Sequence, residues 1–200
     1  NDGTAVTLTA NPAAGSTFGG WGGACTGTGS CQLTMNADKT VSAIFNNPGG
    51  TQLLRPNGDI TSQWSMCCSV SSAWDALDDN VTQAQGSIPV EKFLYTYAVD
   101  KVTEVALTNY AIGTTTPSAG KAWFYMDTAP GQTVRADVIW GGSVRGTTTV
   151  PGSSGYAWRS INVVPPDQAA VDDLRIRFTS TTAGTSSSDI FAAYFELTTT

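Results

Sequence analysis

The stretch Lys121-Ala122-Trp123-Phe124-Tyr125-Met126-Asp127 decides the class of fold. Successive side chains of a β-strand point to opposite faces, so Trp123 and Tyr125 share one face while Phe124 and Met126 share the other. If one pair faces a core, the other must point outward. The stretch therefore predicts a strand from a sheet that is packed on one face.

Similar runs of strand-forming residues recur on both sides of this stretch, separated by Gly- and Pro-containing turns such as 129–131 and 151–155. A short helical turn is expected near 165–170. Strands at this spacing, without a long helical periodicity, favour a β-sandwich or jelly roll over residues 51–200. The predicted strands are 93–99, 102–112, 121–127, 133–140, 157–164, 174–180 and 190–198.

A boundary is predicted at Asn46-Asn47-Pro48-Gly49-Gly50, where turn residues end the preceding strand. Before it, residues 6–10, 31–35 and 40–45 are three short predicted strands. We therefore expect an all-β chain with a small unit at 1–46, a linker at 47–50 and a larger unit at 51–200.

Composition narrows the functional classes. The 200 residues carry a net charge of −6, which disfavours nucleic acid as a partner because no basic stripe is available to bind phosphates. The chain has no histidine, which excludes Ser-His-Asp and Cys-His catalysis and His-ligated zinc. No apolar run reaches the roughly 18 to 20 residues of a membrane span. A weakly charged, Gly- and Thr-rich chain of this kind is typical of an extracellular β protein.

The first cysteine pair flanks a flexible loop. Five Gly, Thr and Ser residues separate Cys25 from Cys31, which lets the two sulfurs meet without strain. We expect a disulfide here, and the alternative is a reduced surface pair.

The second pair, Cys67 and Cys68, is adjacent in sequence. Neighbouring cysteines can close only a small strained ring, so this arrangement is uncommon. A vicinal disulfide is the favoured state, ahead of two buried thiols and of a bridge to another chain.

The first unit resembles a known bacterial surface repeat, the divergent InlB B-repeat. The resemblance implies a small, extracellular, β-grasp-like unit that is not catalytic and serves as a spacer or an adhesion module. It rests on Val6–Pro12, Gly15–Phe18, Gly20-Trp21, Cys25, Cys31, Met35 and Val41–Phe45.

One departure from that family suggests a mode of assembly. The family's repeat opens with a further β segment before the one that matches Val6–Ala10, and the sequence begins too late to contain it. An incomplete sheet exposes unpaired backbone groups, which a neighbouring molecule can pair by adding a strand. The expected assembly residues are Val6, Leu8 and Ala10 on the open edge, with Phe191, Tyr194 and Phe195 on a C-terminal donor strand.

The second unit more loosely resembles jelly-roll domains of phage particles, bacterial surface proteins and secreted polysaccharide-active enzymes. The resemblance rests on the segments 54–59, 72–79, 158–163 and 173–178, and it contains no catalytic signature. It implies binding or assembly rather than catalysis. Several such domains are similar to carbohydrate-binding modules.

Two candidate ligand sites follow from residue types. Asp75, Asp78 and Asp79 supply carboxylate oxygens of the kind that Ca²⁺ prefers, and the alternative is a solvated acidic turn. No other cofactor is expected. Planar aromatics suit the C–H faces of sugars, and the alternative for them is packing in the core. The candidate sugar-binding residues are Trp140, Tyr156 and Trp158.

An enzyme is not expected. Glycoside hydrolysis needs two carboxylates at a defined separation across a cleft. The three glutamates are Glu91, Glu104 and Glu196, and their pairing cannot be determined from one sequence.

The leading hypothesis is a secreted or cell-surface structural or adhesive subunit of bacterial type. It would assemble with itself or with a neighbouring surface protein into a fibre or array by β-strand complementation. The alternative is a carbohydrate-binding module of a secreted enzyme or adhesin, with a polysaccharide as partner. A phage decoration protein is a third hypothesis.

Overall fold

The computed structural model describes residues 3–12, 16–46, 49–77, 92–152 and 155–200. They form two compact units, one from 1–49 with 112–116 and Thr200, and one from 50–111 and 117–199. Nearly all regular structure is β, which confirms the predicted fold class.

The first unit contains two antiparallel strand pairs. Strand β1 pairs with β3, and β2 pairs with β4. The bounds are β1 Thr4–Leu8, β2 Thr17–Gly23, β3 Cys31–Met35 and β4 Val41–Asn46.

The side chains predicted on the open edge lie on and just after β1. Val6 is opposite Leu33 and Leu8 is opposite Cys31, and both Val6 and Leu8 are half-buried. Ala10 follows the end of the strand. The backbone of β1 is thus hydrogen-bonded to β3 of its own unit.

A disulfide and a small aromatic cluster stabilise this unit. Cys25 and Cys31 are bonded, as predicted, and close the loop between β2 and β3. The Phe18 ring lies 5.0 Å from that of Trp21 and 5.6 Å from that of Phe45. The Trp21 indole N–H donates to the Gly29 carbonyl, which ties the loop to β2.

The second unit is a sandwich of two antiparallel sheets. Sheet I has the order β13-β10-β15-β8-β7, with β5 also paired to β15, and sheet II has the order β12-β11-β14-β9-β6. The bounds are β5 Gly50–Leu54, β6 Pro56–Ser62, β7 Ser65–Met66, α1 Ala73–Leu77, β8 Leu94–Thr96, β9 Val102–Leu107, β10 Pro117–Asp127, β11 Val134–Trp140, β12 Ser143–Val150, β13 Ala157–Asn162, α2 Gln168–Asp172, β14 Arg175–Ser180 and β15 Ser188–Thr199.

The core lies between the two sheets. Phe124 of β10 and Phe178 of β14 are fully buried and meet edge to face at 5.4 Å. Burying an aromatic or large aliphatic side chain contributes about 1.5–3 kcal/mol, so this layer dominates the stability of the unit.

An aspartate carboxylate holds the first turn of each short helix. The Asp59 carboxylate accepts from the backbone N–H groups of Ala73 and Trp74 at 2.9 and 2.8 Å, which holds the start of α1 against β6. Asp167 caps α2 by accepting from the N–H of Ala170. Both contacts satisfy backbone donors that a helix leaves unpaired in its first turn.

The C-terminal run is a central strand of its own sheet, so its predicted role as a donor is wrong. Strand β15 pairs with β10 along one edge and with β8 and β5 along the other. Phe191, Tyr194 and Phe195 are 1%, 2% and 0% exposed. A strand with both edges hydrogen-bonded and its aromatics buried cannot pair with a second molecule without unfolding its own sheet.

Cys67 and Cys68 form the vicinal disulfide that the sequence favoured. Cys68 and Ser69 have φ values of 71° and 68°. Two successive non-glycine residues in the left-handed region mark a tight reversal after β7.

Candidate functional site

The outer face of sheet I carries an unusual number of aromatic side chains. Phe124 and Met126 of β10 point into the core and are fully buried, so Trp123 and Tyr125 point to the opposite face. In β13, Trp158 is directly opposite Tyr125 and therefore shares this face.

Tyr156 forms an exposed platform at one end of this face. Tyr156 is 54% exposed, and its ring stacks on that of Tyr125 with the centroids 6.4 Å apart and an interplanar angle of 20°. Tyr125 is only 6% exposed and also contacts Trp158 at 5.4 Å and Phe191 at 6.1 Å. The exposed ring is therefore held flat by buried neighbours.

Two carboxylates lie beside the Tyr156 platform. Asp127 and Asp189 are directly opposite each other across β10 and β15. Burial raises the pKa of Asp189, the Ser187 hydroxyl lowers it, and the Asp127 charge raises it. The pKa of the Tyr156 phenol is also raised, first by burial and then by the charges of Asp189 and Asp127. Both acids are thus close enough to act electrostatically on the phenol.

One oxygen of this pair lacks a hydrogen-bond donor in the part of the chain that the structure describes. Within the described residues, Asp189 Oδ1 is buried and has no hydrogen-bond partner. A buried acceptor without a donor is unfavourable by about 1–3 kcal/mol, which adds to the cost of burying Asp189.

The structure separates Trp140 from the other two predicted sugar-binding residues. Tyr156 precedes β13 and Trp158 lies within it, in sheet I, whereas Trp140 ends β11 in sheet II. Trp140 is 8% exposed and its ring lies 5.5 Å from the Arg145 guanidinium carbon. Only Tyr156 and Trp158 share a surface.

The calcium prediction receives no support. Asp75 forms an ion pair with Lys92 at 3.1 Å, while Asp78 and Asp79 lie outside the described residues. Over the part of the chain that the structure describes, no group of three or more acidic or cysteine side chains is arranged to hold a metal ion.

Glu104 and Glu196 do not form a catalytic pair. Glu104 lies in β9 of sheet II and Glu196 in β15 of sheet I. Glu104 is 3% exposed and accepts from Arg177 at 2.7 Å and from Arg175 at 3.4 Å. The two carboxylates are on different sheets, and Glu91 lies outside the described residues.

The register across strands supplies residues that sequence reasoning missed. Asp127 and Asp189 are far apart in the chain and meet only because β10 pairs with β15. The sequence around each residue does not indicate a site, since each is a single acid at or next to the end of a predicted strand.

Comparison with known proteins supports the first resemblance. The family model described as the divergent InlB B-repeat domain matches residues 1–48, which confirms the similarity expected for 1–46. No curated protein matches the chain significantly. None of the helices in the described residues is long and apolar enough to cross a bilayer.

Three of the solved structures similar to the chain are described as carbohydrate-binding modules. The C-terminal CBM6 of the laminarinase LamC from Zobellia galactanivorans has a TM-score of 0.41 at 13% identity, covering 74% of this chain and 99% of that one. CsCBM6-3 from Clostridium stercorarium, in complex with cellobiose, has a TM-score of 0.37 at 11% identity, and the match covers 73% of this chain and 92% of that one. CBM6cm-2 from Cellvibrio mixtus lichenase 5A, in complex with cellotriose, has a TM-score of 0.35 at 9% identity, and the match covers 74% of this chain and 97% of that one. Since all three TM-scores are below 0.5, no residue role is transferred from them.

The hypothesis of a fibre-forming subunit is wrong. Its donor, β15, is a central strand of its own sheet.

Proposed function

We propose that this chain is a non-catalytic carbohydrate-binding module that binds polysaccharide on the outer face of sheet I. The observation that carries the proposal is the exposed Tyr156 ring, stacked on buried Tyr125 beside Trp158. A flat, rigidly held aromatic ring at the surface loses little entropy when a ligand binds to it.

The chemistry of the face suits a sugar. The electron-rich face of an aromatic ring attracts the polarised C–H groups of a pyranose, and burial of the two apolar surfaces adds to the affinity. Asp127 and Asp189 place acceptors next to the Tyr156 ring, where sugar hydroxyls can donate. An apolar platform bordered by a few fixed polar groups is the usual form of a small-ligand site.

The setting we propose is a secreted or cell-surface protein. Two disulfides are typical of oxidising compartments, and the divergent InlB B-repeat match is consistent with a surface location. In this proposal the first unit is a spacer and the second unit binds the polysaccharide. The net charge of −6 disfavours nucleic acid as a competing partner.

Affinity electrophoresis against neutral polysaccharides, namely β-glucan, xylan, mannan and galactan, tests the proposal. At least one polysaccharide is expected to retard the protein. Tyr156→Ala and Trp158→Ala should each weaken that binding about tenfold or more, equivalent to about 1.4 kcal/mol.

Phe45→Ala is the control. Phe45 is an aromatic residue of the first unit that is 44% exposed, and its ring contacts Phe18. This variant should bind like the unmodified protein. Absence of binding to every polysaccharide, or equal loss in all three variants, would contradict the proposal.

A further inference from the structure

A groove of about 410 Å³ lies along sheet I, farther toward the start of β10 than Tyr125. Its polar side chains form a row across three neighbouring strands. Asn162 of β13 is opposite Lys121 of β10, and Lys121 is opposite Glu196 of β15. The lining residues are Ser118, Ala119, Gly120, Lys121, Asn162, Val163, Val164, Glu196 and Thr198.

Trp123 lies next to this groove and is held in place by two of its lining residues. The Trp123 indole N–H donates to Glu196 Oε2 at 3.0 Å. The Lys121 ammonium lies 4.7 Å from the centroid of the Trp123 ring. The half-buried indole is thus oriented by one hydrogen bond and one cation–π contact, which together reduce its rotational freedom.

A close backbone approach shapes the end of the groove. An added Cβ at Gly120 would overlap the carbonyl oxygen of Val163 and the Phe195 ring. Without a side chain, Gly120 lets Val163 approach and donate its backbone N–H to the Gly120 carbonyl at 3.0 Å. Val163 therefore forms a fixed wall of the groove.

The groove and the Tyr156 platform belong to one continuous surface. Lys121, Trp123 and Tyr125 alternate along β10 and so point to the same face. At about 3.3 Å per residue, Lys121 is roughly 13 Å from Tyr125 along the strand. Trp123 lies midway and bridges the two ends.

We propose that this groove is a second sugar subsite, so that the ligand is an internal stretch of an extended, neutral polysaccharide lying along β10. The inference rests on the proposed function of the same face. Glu196, Asn162 and Lys121 provide acceptors and donors for hydroxyls, and Trp123 provides a stacking ring between the two ends.

The charges on this face favour a neutral glycan. Two carboxylates, Asp127 and Asp189, border the platform. In the groove, the charged lining residues are one glutamate, Glu196, and one lysine, Lys121. A polyuronate or sulfated glycan would bring its own negative charges against these carboxylates, which is unfavourable in a partly desolvated site.

A chain-length series tests the inference. Isothermal titration calorimetry would compare disaccharides with hexasaccharides of β-1,4-glucan and β-1,4-xylan, and polygalacturonate with both. The hexasaccharide of the preferred neutral glycan should bind at least tenfold more tightly than its disaccharide. Glu196→Gln and Lys121→Met should remove most of this gain in affinity.

The controls separate this inference from the proposed function. Lys101→Met removes an exposed lysine of the second unit that does not line the groove, and it should change nothing. Thermal unfolding of each variant verifies that it is folded. Equal affinity for short and long chains, or unaltered binding in both groove variants, overturns the second subsite. Binding at the Tyr156 platform, which is the proposed function, is not contradicted by either result. Tighter binding of polygalacturonate overturns the neutral specificity, and absence of all binding overturns both proposals.

Discussion

At the scale of single residues, Asp127 and Asp189 form a like-charged pair beside the proposed binding platform. The two carboxylates are direct cross-strand neighbours, where like charges are destabilising. Asp189 is also partly desolvated, which disfavours its charged form. This pair therefore lowers the stability of the fold. Binding of a ligand by the carboxylate oxygens would explain why both acids are present.

Asp189→Asn is therefore expected to stabilise the fold at neutral pH. The pKa of Asp189 is raised above its ordinary value of 3.8, so the folded state binds this proton more tightly than the unfolded state does. The contribution of Asp189 to stability is consequently greatest below pH 3.8 and is lost as the pH rises through its folded-state pKa. The asparagine variant cannot ionise, and its advantage should appear above that window and vanish below it.

Thermal unfolding between pH 3 and pH 8 measures this difference. The gain at neutral pH should stay below about 1 kcal/mol, because the side chain is only partly buried and solvent screens its charge. Asp38→Asn, at an exposed position of the first unit, serves as the control. A variant that is less stable than the parent at pH 7 would refute the argument.

At the scale of secondary-structure elements, an ion-pair network joins β9 and β14 on sheet II. Glu104 is almost fully buried and is opposite Arg177 in the register of the two strands. Arg175 links the same glutamate to Asp173, whose pKa is lowered by that hydrogen bond. This network fixes the register of two central strands.

Glu104→Gln should lower the free energy of unfolding by about 2 kcal/mol, because two guanidinium groups lose a charged acceptor. Asp75→Asn neutralises a more exposed ion pair with Lys92, and its effect should stay below about 1 kcal/mol. Urea unfolding of both variants gives the comparison. Similar losses in the two variants would show that the network around Glu104 adds nothing specific.

The elements also show what could be predicted from the sequence. The alternation at 121–127 predicted the strand and its two faces, because both faces carry large apolar side chains. Strand β12 was missed, since it is an edge strand whose mostly exposed polar residues give no apolar alternation. Helix α1 was missed because its start depends on Asp59, which precedes Ala73 by 14 residues.

The candidate site was only partly predictable for the same reason. Tyr156 and Trp158 could be named from residue type and spacing, but their pairing with Tyr125 requires the register of β10 and β13. Likewise, the C-terminal run had the composition of a donor strand, and its central place in sheet I depends on three long-range pairings. Local sequence does not encode such pairings directly.

At the scale of the whole molecule, the chain combines a repeat-type first unit with a sandwich that carries an aromatic outer face. Each unit has its own disulfide, which is typical of proteins in oxidising compartments.

A titration of the ¹⁵N-labelled protein with a neutral hexasaccharide, followed by amide chemical shifts, tests polysaccharide binding on this face most directly. We predict shifts concentrated in β10 and in its two neighbouring strands, β13 and β15, together with the indole signals of Trp123 and Trp158. Shifts confined to sheet II or to the first unit would contradict binding on this face. The absence of shifts with every glycan that retards the protein on a gel would contradict it as well.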